Sequence, residues 1–267
     1  MANCLPDATK IKWHLDARMQ SIDIAGAEWS YIDTGGTVDP IVLLPGALGT
    51  CEVFFKQISA LGQRHRIVAA TYPGFVAPEA LADGLYELLN RLGLKGALLV
   101  GSSFASYWLQ FFALRHPANI RKILLGNGFI DGEPLASENP LFATALVKDS
   151  SPEELRTVWQ AFIASAPESE LRSLQLDMLT ARQSASVLQS RLRFVIAAKP
   201  CPKLPISDTQ IVLLDCHDDK IITPAMREDV RLKYPNATHH SLAFGGHYPH
   251  ILNPDAYNAL LCLYAKP

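Results

Sequence analysis

The sequence predicts an α/β protein, with a mainly parallel, doubly wound sheet interrupted once by an inserted helical cap. Three observations carry that expectation. Short β-branched or apolar runs alternate with stretches of helical periodicity through the first half of the chain, the pattern of βαβ units joined by right-handed crossovers. From about residue 131 to 204 the alternation stops, and helical segments follow one another, punctuated by Pro140, Pro152, Pro167, Pro200, Pro202 and Pro205. At Thr209 the strand pattern resumes. A core of residues 1–130 and 205–267 carrying a cap of residues 131–204 is therefore expected, and a chain of 267 residues that is 49% hydrophobic is long enough to bury it.

The elements follow in order. Residues 21–33 hold two runs joined around Gly26 and closed by Gly35-Gly36, which reads as an antiparallel hairpin at one sheet edge. Residues 41–44, 67–71, 97–100 and 120–125 read as parallel strands, separated by helices over 51–61, 78–92 and 104–115. The last of these helices carries Phe104, Tyr107, Trp108, Phe111 and Phe112 around most of its circumference and is stopped by Pro117. Such a helix belongs under the sheet, and its aromatics read as core rather than as a ligand box. Ser151-Pro152-Glu153-Glu154 starts a helix within the insertion, with serine at the cap, proline in the first turn and acids at the positive end of the dipole. Strands over 209–214 and 238–243 and a terminal helix over 254–264 complete the chain.

Composition excludes several classes of function. A net charge of −2 without any Lys/Arg-rich run gives no surface to track a phosphate backbone or an anionic membrane, so nucleic acid is not expected as a partner. Neither G-x-G-x-x-G nor a Walker-type phosphate loop occurs. Residues 1–7 lack the charged head and apolar run of a signal peptide, and no apolar stretch is long enough to span a bilayer; a soluble cytoplasmic protein is expected. The cysteines, at 4, 51, 201, 216 and 262, form no C-x-x-C pair and suit reduced, mostly buried thiols. Cys51 lies near a loop of interest but has no paired base, so packing is its expected role. Histidines 14, 65, 116, 217, 239, 240 and 250 are expected on the surface or in loops, and His239, His240, His247 and His250 make a poor metal pattern. No cofactor and no metal are expected.

The segment Leu98-Leu99-Val100-Gly101-Ser102-Ser103-Phe104-Ala105-Ser106 runs an apolar strand through serine directly into a helix. A nucleophile elbow has this form: the serine sits in a strained turn, and residues two before and two after it must be small so that strand and helix do not collide. Ser103 places Gly101 and Ala105 in those positions, whereas Ser102 would place Val100 and Phe104 there. Taken alone, Ser103 also suits a helix N-cap. A serine hydroxyl needs a positioned base, and His247, in Phe244-Gly245-Gly246-His247-Tyr248-Pro249 after the last strand, is the candidate. The base needs an anion to hold its tautomer. Asp219, just past strand 209–214, is the first choice, Asp218 the runner-up and Asp131 a third site for the acid, while Asp215 is expected within the strand. Donors for a developing oxyanion are expected from the amides of Ala47, in Leu43-Leu44-Pro45-Gly46-Ala47-Leu48-Gly49, and of Phe104.

With Leu-Pro-Gly after the third strand, the elbow, the insertion, the aspartate before Ile-Ile-Thr-Pro and Gly-Gly-His-Tyr-Pro before the closing helix, the chain resembles the α/β-hydrolase fold superfamily over nearly its whole length. Residues 49–61 and Leu232-Lys233-Tyr234-Pro235-Asn236-Ala237 resemble the maspardin group. The resemblance implies hydrolysis of a carboxyl ester or related acyl compound through an acyl-enzyme, without a cofactor, on a small or medium and largely apolar substrate. A carbon–carbon bond hydrolase uses the same triad. The maspardin likeness also admits a non-catalytic binding or adaptor protein with a protein partner. Pro45 replaces a histidine often found before the oxyanion glycine, Ala105 a commoner glycine, and Tyr72-Pro73-Gly74-Phe75 lacks a further glycine usual there.

Overall fold

The computed structural model describes residues 18–266; Cys4, His14 and the N-terminal segment read above lie outside them. Eight strands form one sheet: β1 (Met19–Ile24), β2 (Ala27–Asp33), β3 (Ile41–Leu44), β4 (Ile67–Thr71), β5 (Leu98–Ser102), β6 (Lys122–Gly126), β7 (Ile211–Cys216) and β8 (Thr238–Leu242). Their order is β1-β2-β4-β3-β5-β6-β7-β8. The β1–β2 hairpin is antiparallel and turns at Gly26, as expected; β2 also pairs antiparallel with β4, and every later pairing is parallel.

The helices in the first half are α1 (Phe55–Leu61, preceded by a 3₁₀ turn over Cys51–Phe54), α2 (Pro78–Arg91) and α3 (Phe104–Arg115). From β3 the chain steps to one side to reach β4, and from β5 onward it steps to the other. Right-handed crossovers made in opposite directions put helices on opposite faces, and they leave a crevice between β3 and β5 at the carboxyl ends of the strands. In keeping with that, α2 packs on α3, while α1 packs on the closing helix α11 (Pro254–Ala265). The inner strands β3, β4 and β5 are buried at nearly every residue, and α3 is buried at Phe104, Tyr107, Trp108 and Phe112, so its aromatics are core, as their spacing implies.

Between β6 and β7 run α4 (Glu133–Glu138), α5 (Thr144–Asp149), α6 (Pro152–Ala164), α7 (Glu170–Asp177) and α8 (Ala185–Ile196), with a π turn over Met178–Arg182. The start of α6 is a capping box, in which the Ser151 side chain accepts from the Glu154 amide and the Glu154 carboxylate accepts from the Ser151 amide. After β7 come α9 (Pro224–Lys233), β8, the short α10 (Pro249–Leu252) and α11. Strand limits depart from expectation where 3₁₀ turns intrude. Pro117–Asn119 delays β6 to Lys122, and a capping box from Ser207 over Asp208–Gln210 delays β7 to Ile211. Among the described residues no helix is long and apolar enough to cross a membrane.

The junction of β5 and α3 is a close backbone-to-backbone approach. A Cβ at Gly101 would lie 2.6 Å from the Ala105 carbonyl atoms and 2.7 Å from the Ser106 nitrogen, all backbone that cannot retreat. Gly101→Ala is therefore expected to cost about 3 kcal/mol of stability by overpacking, measured as a lowered urea midpoint at unchanged slope.

Candidate active site

Ser103 joins β5 to α3 with φ 53° and ψ −116°, a backbone conformation rare for a residue with a Cβ. Its amide donates to the Gly126 carbonyl at the end of β6 (2.8 Å), which pins the turn to the neighbouring strand. Because the chain reverses sharply there, the side chain stands clear of the sheet at the β3–β5 crevice. The Ser103 hydroxyl meets His247 Nε2 at 2.9 Å, and His247 Nδ1 meets Asp219 Oδ2 at 2.9 Å. An ionised carboxylate only accepts, so Nδ1 carries the proton and Nε2 accepts from the hydroxyl.

Residues far apart in the chain thus meet at strand ends: Ser103 after β5, Asp219 after β7 and His247 after β8. Asp219 is fully buried in its side chain. Burial alone would raise its carboxyl, but the charge of His247 and hydrogen bonds from His247, Asn127 and the Ile221 amide outweigh it and hold the group at about 2. Oδ1 accepts from the amides of Ile221 (2.8 Å) and Ile222 (3.1 Å), and Oδ2 also accepts from Asn127 Nδ2 (2.7 Å). The alternative acids lie elsewhere. Asp218, exposed in its loop, accepts from the Gly246 amide (2.8 Å) and the Gly245 amide (3.3 Å), and so ties the histidine loop to the loop after β7. Asp131 accepts from the Glu133 amide and pairs with Lys199 at 3.4 Å. Asp215 lies in β7, where it binds Arg231, His239 and Ser241.

The loop after β3 lies against the hydroxyl: a Cβ on Gly46 would be 3.7 Å from Ser103 Oγ. Ala47 lines the cavity at this point and Phe104 opens α3 beside it. Three of the loop's carbonyls, those of Pro45, Ala47 and Gly49, are held by side chains. Tyr72 donates to Pro45 O at 2.9 Å, Gln183 Nε2 to Ala47 O at 2.9 Å, and Arg191 to Gly49 O at 2.9 Å, to Ala47 O at 3.4 Å and to Tyr72 O. Arg191, on α8, is 1% exposed, and its guanidinium lies 4.1 Å over the Tyr72 ring.

A cavity of about 140 Å³ opens from Ser103 and His247. Leu135, Phe142, Trp159, Phe162, Ile163, Leu192 and Val195 of the helical insertion form one wall, and Gly46, Leu48, Val53, Ile221 and His250 belong to the rest. No lining side chain bears a fixed charge. Cys51 is buried behind the lining, its thiol pushed up by burial and by Glu52.

Sequence reasoning missed Asn127, Arg191 and Gln183. Two of them leave local traces: Asn127, at φ 45°, tolerates the left-handed conformation demanded just past β6, and Arg191 falls on the same face of α8 as Leu188 and Val195, where a charge is out of place. The histidine expectation needs correction at His250, which is 2% exposed because the helix it joins is clamped against Phe54 and Tyr257; His65 is in a loop, as expected, and is buried there.

The chain matches the model of a family described as "Alpha/beta hydrolase family" over residues 41–260. It is similar to maspardin of Homo sapiens, at 26% identity over 84% of this chain and 74% of that protein. It is also similar, at 25% identity over 86% of this chain and 88% of that protein, to a protein of Paraburkholderia phymatum named 2-hydroxy-6-oxononadienedioate/2-hydroxy-6-oxononatrienedioate hydrolase. Among solved structures the enol-lactonase of Burkholderia xenovorans LB400 superposes with a TM-score of 0.74 at 17% identity, covering 92% of this chain and 99% of that one.

The depressed Asp219 carboxyl predicts an acid-side stability signature. Its folded value of about 2 lies below the ordinary 3.8, so the unfolded state binds the proton first, and the stabilisation is full above pH ~4 and is lost as pH falls through about 2. Wild type is expected to lose about 2 kcal/mol more than Asp219→Asn across that window, as read from urea midpoints at stepped pH.

Proposed function

From a chain that belongs to the alpha/beta hydrolase family, we propose a serine hydrolase that cleaves a carboxyl ester or related acyl compound through an acyl-enzyme. The single observation that carries this reading is the unbroken relay from hydroxyl to imidazole to buried carboxylate, 2.9 Å at each step. Ser103 Oγ attacks the acyl carbon while His247 Nε2 takes its proton, and Asp219 stabilises the imidazolium that forms. The negative charge passes to the acyl oxygen, where the amides of Ala47 and Phe104 hold it and the dipole of α3 favours it. Collapse returns the electron pair and expels the leaving group, which takes the proton from His247. Water then repeats the sequence on the acyl-enzyme, releasing the acid and restoring the serine.

The lining residues support assigning residues 131–204 as a cap that forms the acyl side of the cavity. Those lining residues also support a small or medium, largely apolar acyl group. The Paraburkholderia phymatum relative is named for a dienedioate, a compound with two carboxylates. With no fixed positive charge in the lining here, burial of such a dianion would cost several kcal/mol per uncompensated charge. A neutral ester is favoured over such a dianion.

A fluorophosphonate probe is expected to label wild type at Ser103, and to fail with Ser103→Ala and with His247→Ala. Steady-state kinetics on short phenyl esters are expected to fall on the order of 10⁴-fold or more for those two variants and about 10³-fold or more for Asp219→Asn, with KM little changed. A folded wild-type protein that neither takes the probe nor turns over any ester would end this reading, and a non-catalytic binding protein of the kind the maspardin likeness admits would take its place.

A further inference from the structure

Two side chains in the cavity are buried without a hydrogen-bond partner. His250 is 2% exposed and Trp159 is 7% exposed, and both line the cavity that opens at Ser103. His250 Nδ1 and Nε2 and Trp159 Nε1 have no partner in the protein. Buried polar groups are nearly always paired, and an orphaned donor carries the full cost of its lost hydration. An indole nitrogen only donates, and a neutral imidazole always has one N–H to donate. Burial, with the nearby charges of His247 and Lys56, holds His250 down at about 3, so its ring is neutral in ordinary buffers.

The two groups come from different parts of the chain, Trp159 from α6 in the insertion and His250 from α10 after the histidine loop. The first is set against the Phe142 ring at 5.4 Å, and the second lies among Phe54, Tyr248 and Tyr257. Both rings line the cavity, whose other polar side chains are Ser102, Ser103, Gln175, His247 and Tyr248. Lys56, whose charge is felt at His250, is committed to Glu170 at 2.6 Å and to the Ile251 carbonyl at 3.0 Å.

We propose that the cavity takes an acyl chain bearing uncharged hydrogen-bond acceptors, such as keto, ether or ester oxygens remote from the scissile carbonyl, which accept from the ring N–H groups of Trp159 and His250. The inference rests on the serine hydrolase reading above, in that Ser103 receives the scissile carbonyl of the same chain. A plain alkanoyl chain leaves both donors unpaired. A carboxylate finds donors but no positive charge, and its desolvation is uncompensated. An uncharged oxygen pairs the donors without that cost.

Binding to Ser103→Ala tests the subsite without turnover, and Ser103→Gly, which suits φ 53°, serves if the alanine variant does not fold. Phenyl 4-oxopentanoate, 5-oxohexanoate and 6-oxoheptanoate are titrated calorimetrically beside the phenyl alkanoates of equal chain length and beside monophenyl glutarate. At least one oxo ester is expected to bind about tenfold more tightly than its alkanoate match. Trp159→Phe and His250→Phe, each introduced separately, are expected to bring that ratio toward one, and either folded variant suffices. Alkanoates that bind as well throughout, a ratio that survives in both variants, or glutarate as the tightest ligand would overturn the proposal. Probe labelling of wild-type Ser103 is read separately. Labelling without oxo preference sinks this inference alone, and oxo preference without labelling sinks the hydrolase reading while leaving the ligand class supported.

Discussion

The arrangement depends on one close approach, that of β5 to α3 across Gly101 and Ala105. With no Cβ at Gly101 the helix backbone comes within a distance that any other residue would forbid, and the reversal forces Ser103 into a left-handed conformation. Such strain persists only where the surroundings over-determine it. Here the Ser103 amide is fixed to β6, the Tyr107 amide is fixed to the Ser103 carbonyl, and Phe104 is wholly buried. The hydroxyl is consequently delivered to the crevice where the sheet topology reverses, which is where the loops after β3, β6, β7 and β8 also end.

What the crevice supplies is a set of backbone dipoles more than a set of charges. Asp219 is stabilised by two successive amides and an asparagine in addition to His247, so its negative charge persists in a buried site without a cationic residue beside it. Asn127 also donates to the Gly246 carbonyl, and Asp218 receives the Gly245 and Gly246 amides from the other side. Gly245 and Gly246 are at φ 146° and 53°, and the Cβ that Gly245 lacks would press on Cys216 and Pro249. The histidine is thereby held on a loop whose backbone is bonded at successive residues, and the geometry of the relay follows from those bonds.

Much of this was legible in the amino-acid sequence, and the reason is topological. In a parallel sheet all carboxyl ends lie on one side, so Ser103, Asp219 and His247, each read as standing just past a strand, had to approach one another once the strand order was right. Asp219 was separable from Asp218 by its place before the turn into Ile221, and the structure has that turn folded onto the Asp219 carboxylate. Asn127, Arg191 and the burial of His250 were not legible, since each is defined by contacts across 119, 142 or nearly 200 residues of chain. Periodicity marks a face as buried without saying what it meets. The strand ends erred for a local reason, because Ser207 and Pro117 build 3₁₀ turns that use up residues with strand-like composition.

Arg191 shows how the insertion and the sheet form one unit. A guanidinium with 1% exposure and no carboxylate partner is costly to bury, and here three backbone carbonyls and the face of Tyr72 stand in for the counter-ion. Removing it would leave the Gly49 and Tyr72 carbonyls without that donor, at about 1–3 kcal/mol each. Gln183 adds a further bond to Ala47, and Arg182 pairs with Glu52 at 3.4 Å. The π turn and α8 are therefore fastened to the loop after β3 by polar bonds, whereas α6 meets the cavity through Phe162, Ile163 and the ring of Trp159. Lifting α8 would break several buried polar bonds at once, while shifting α6 disturbs mainly apolar contacts, which weaken gradually with separation. Any widening of the cavity is then cheaper at α6 than at α8, and the loop carrying Ala47 keeps its geometry while the wall facing it moves.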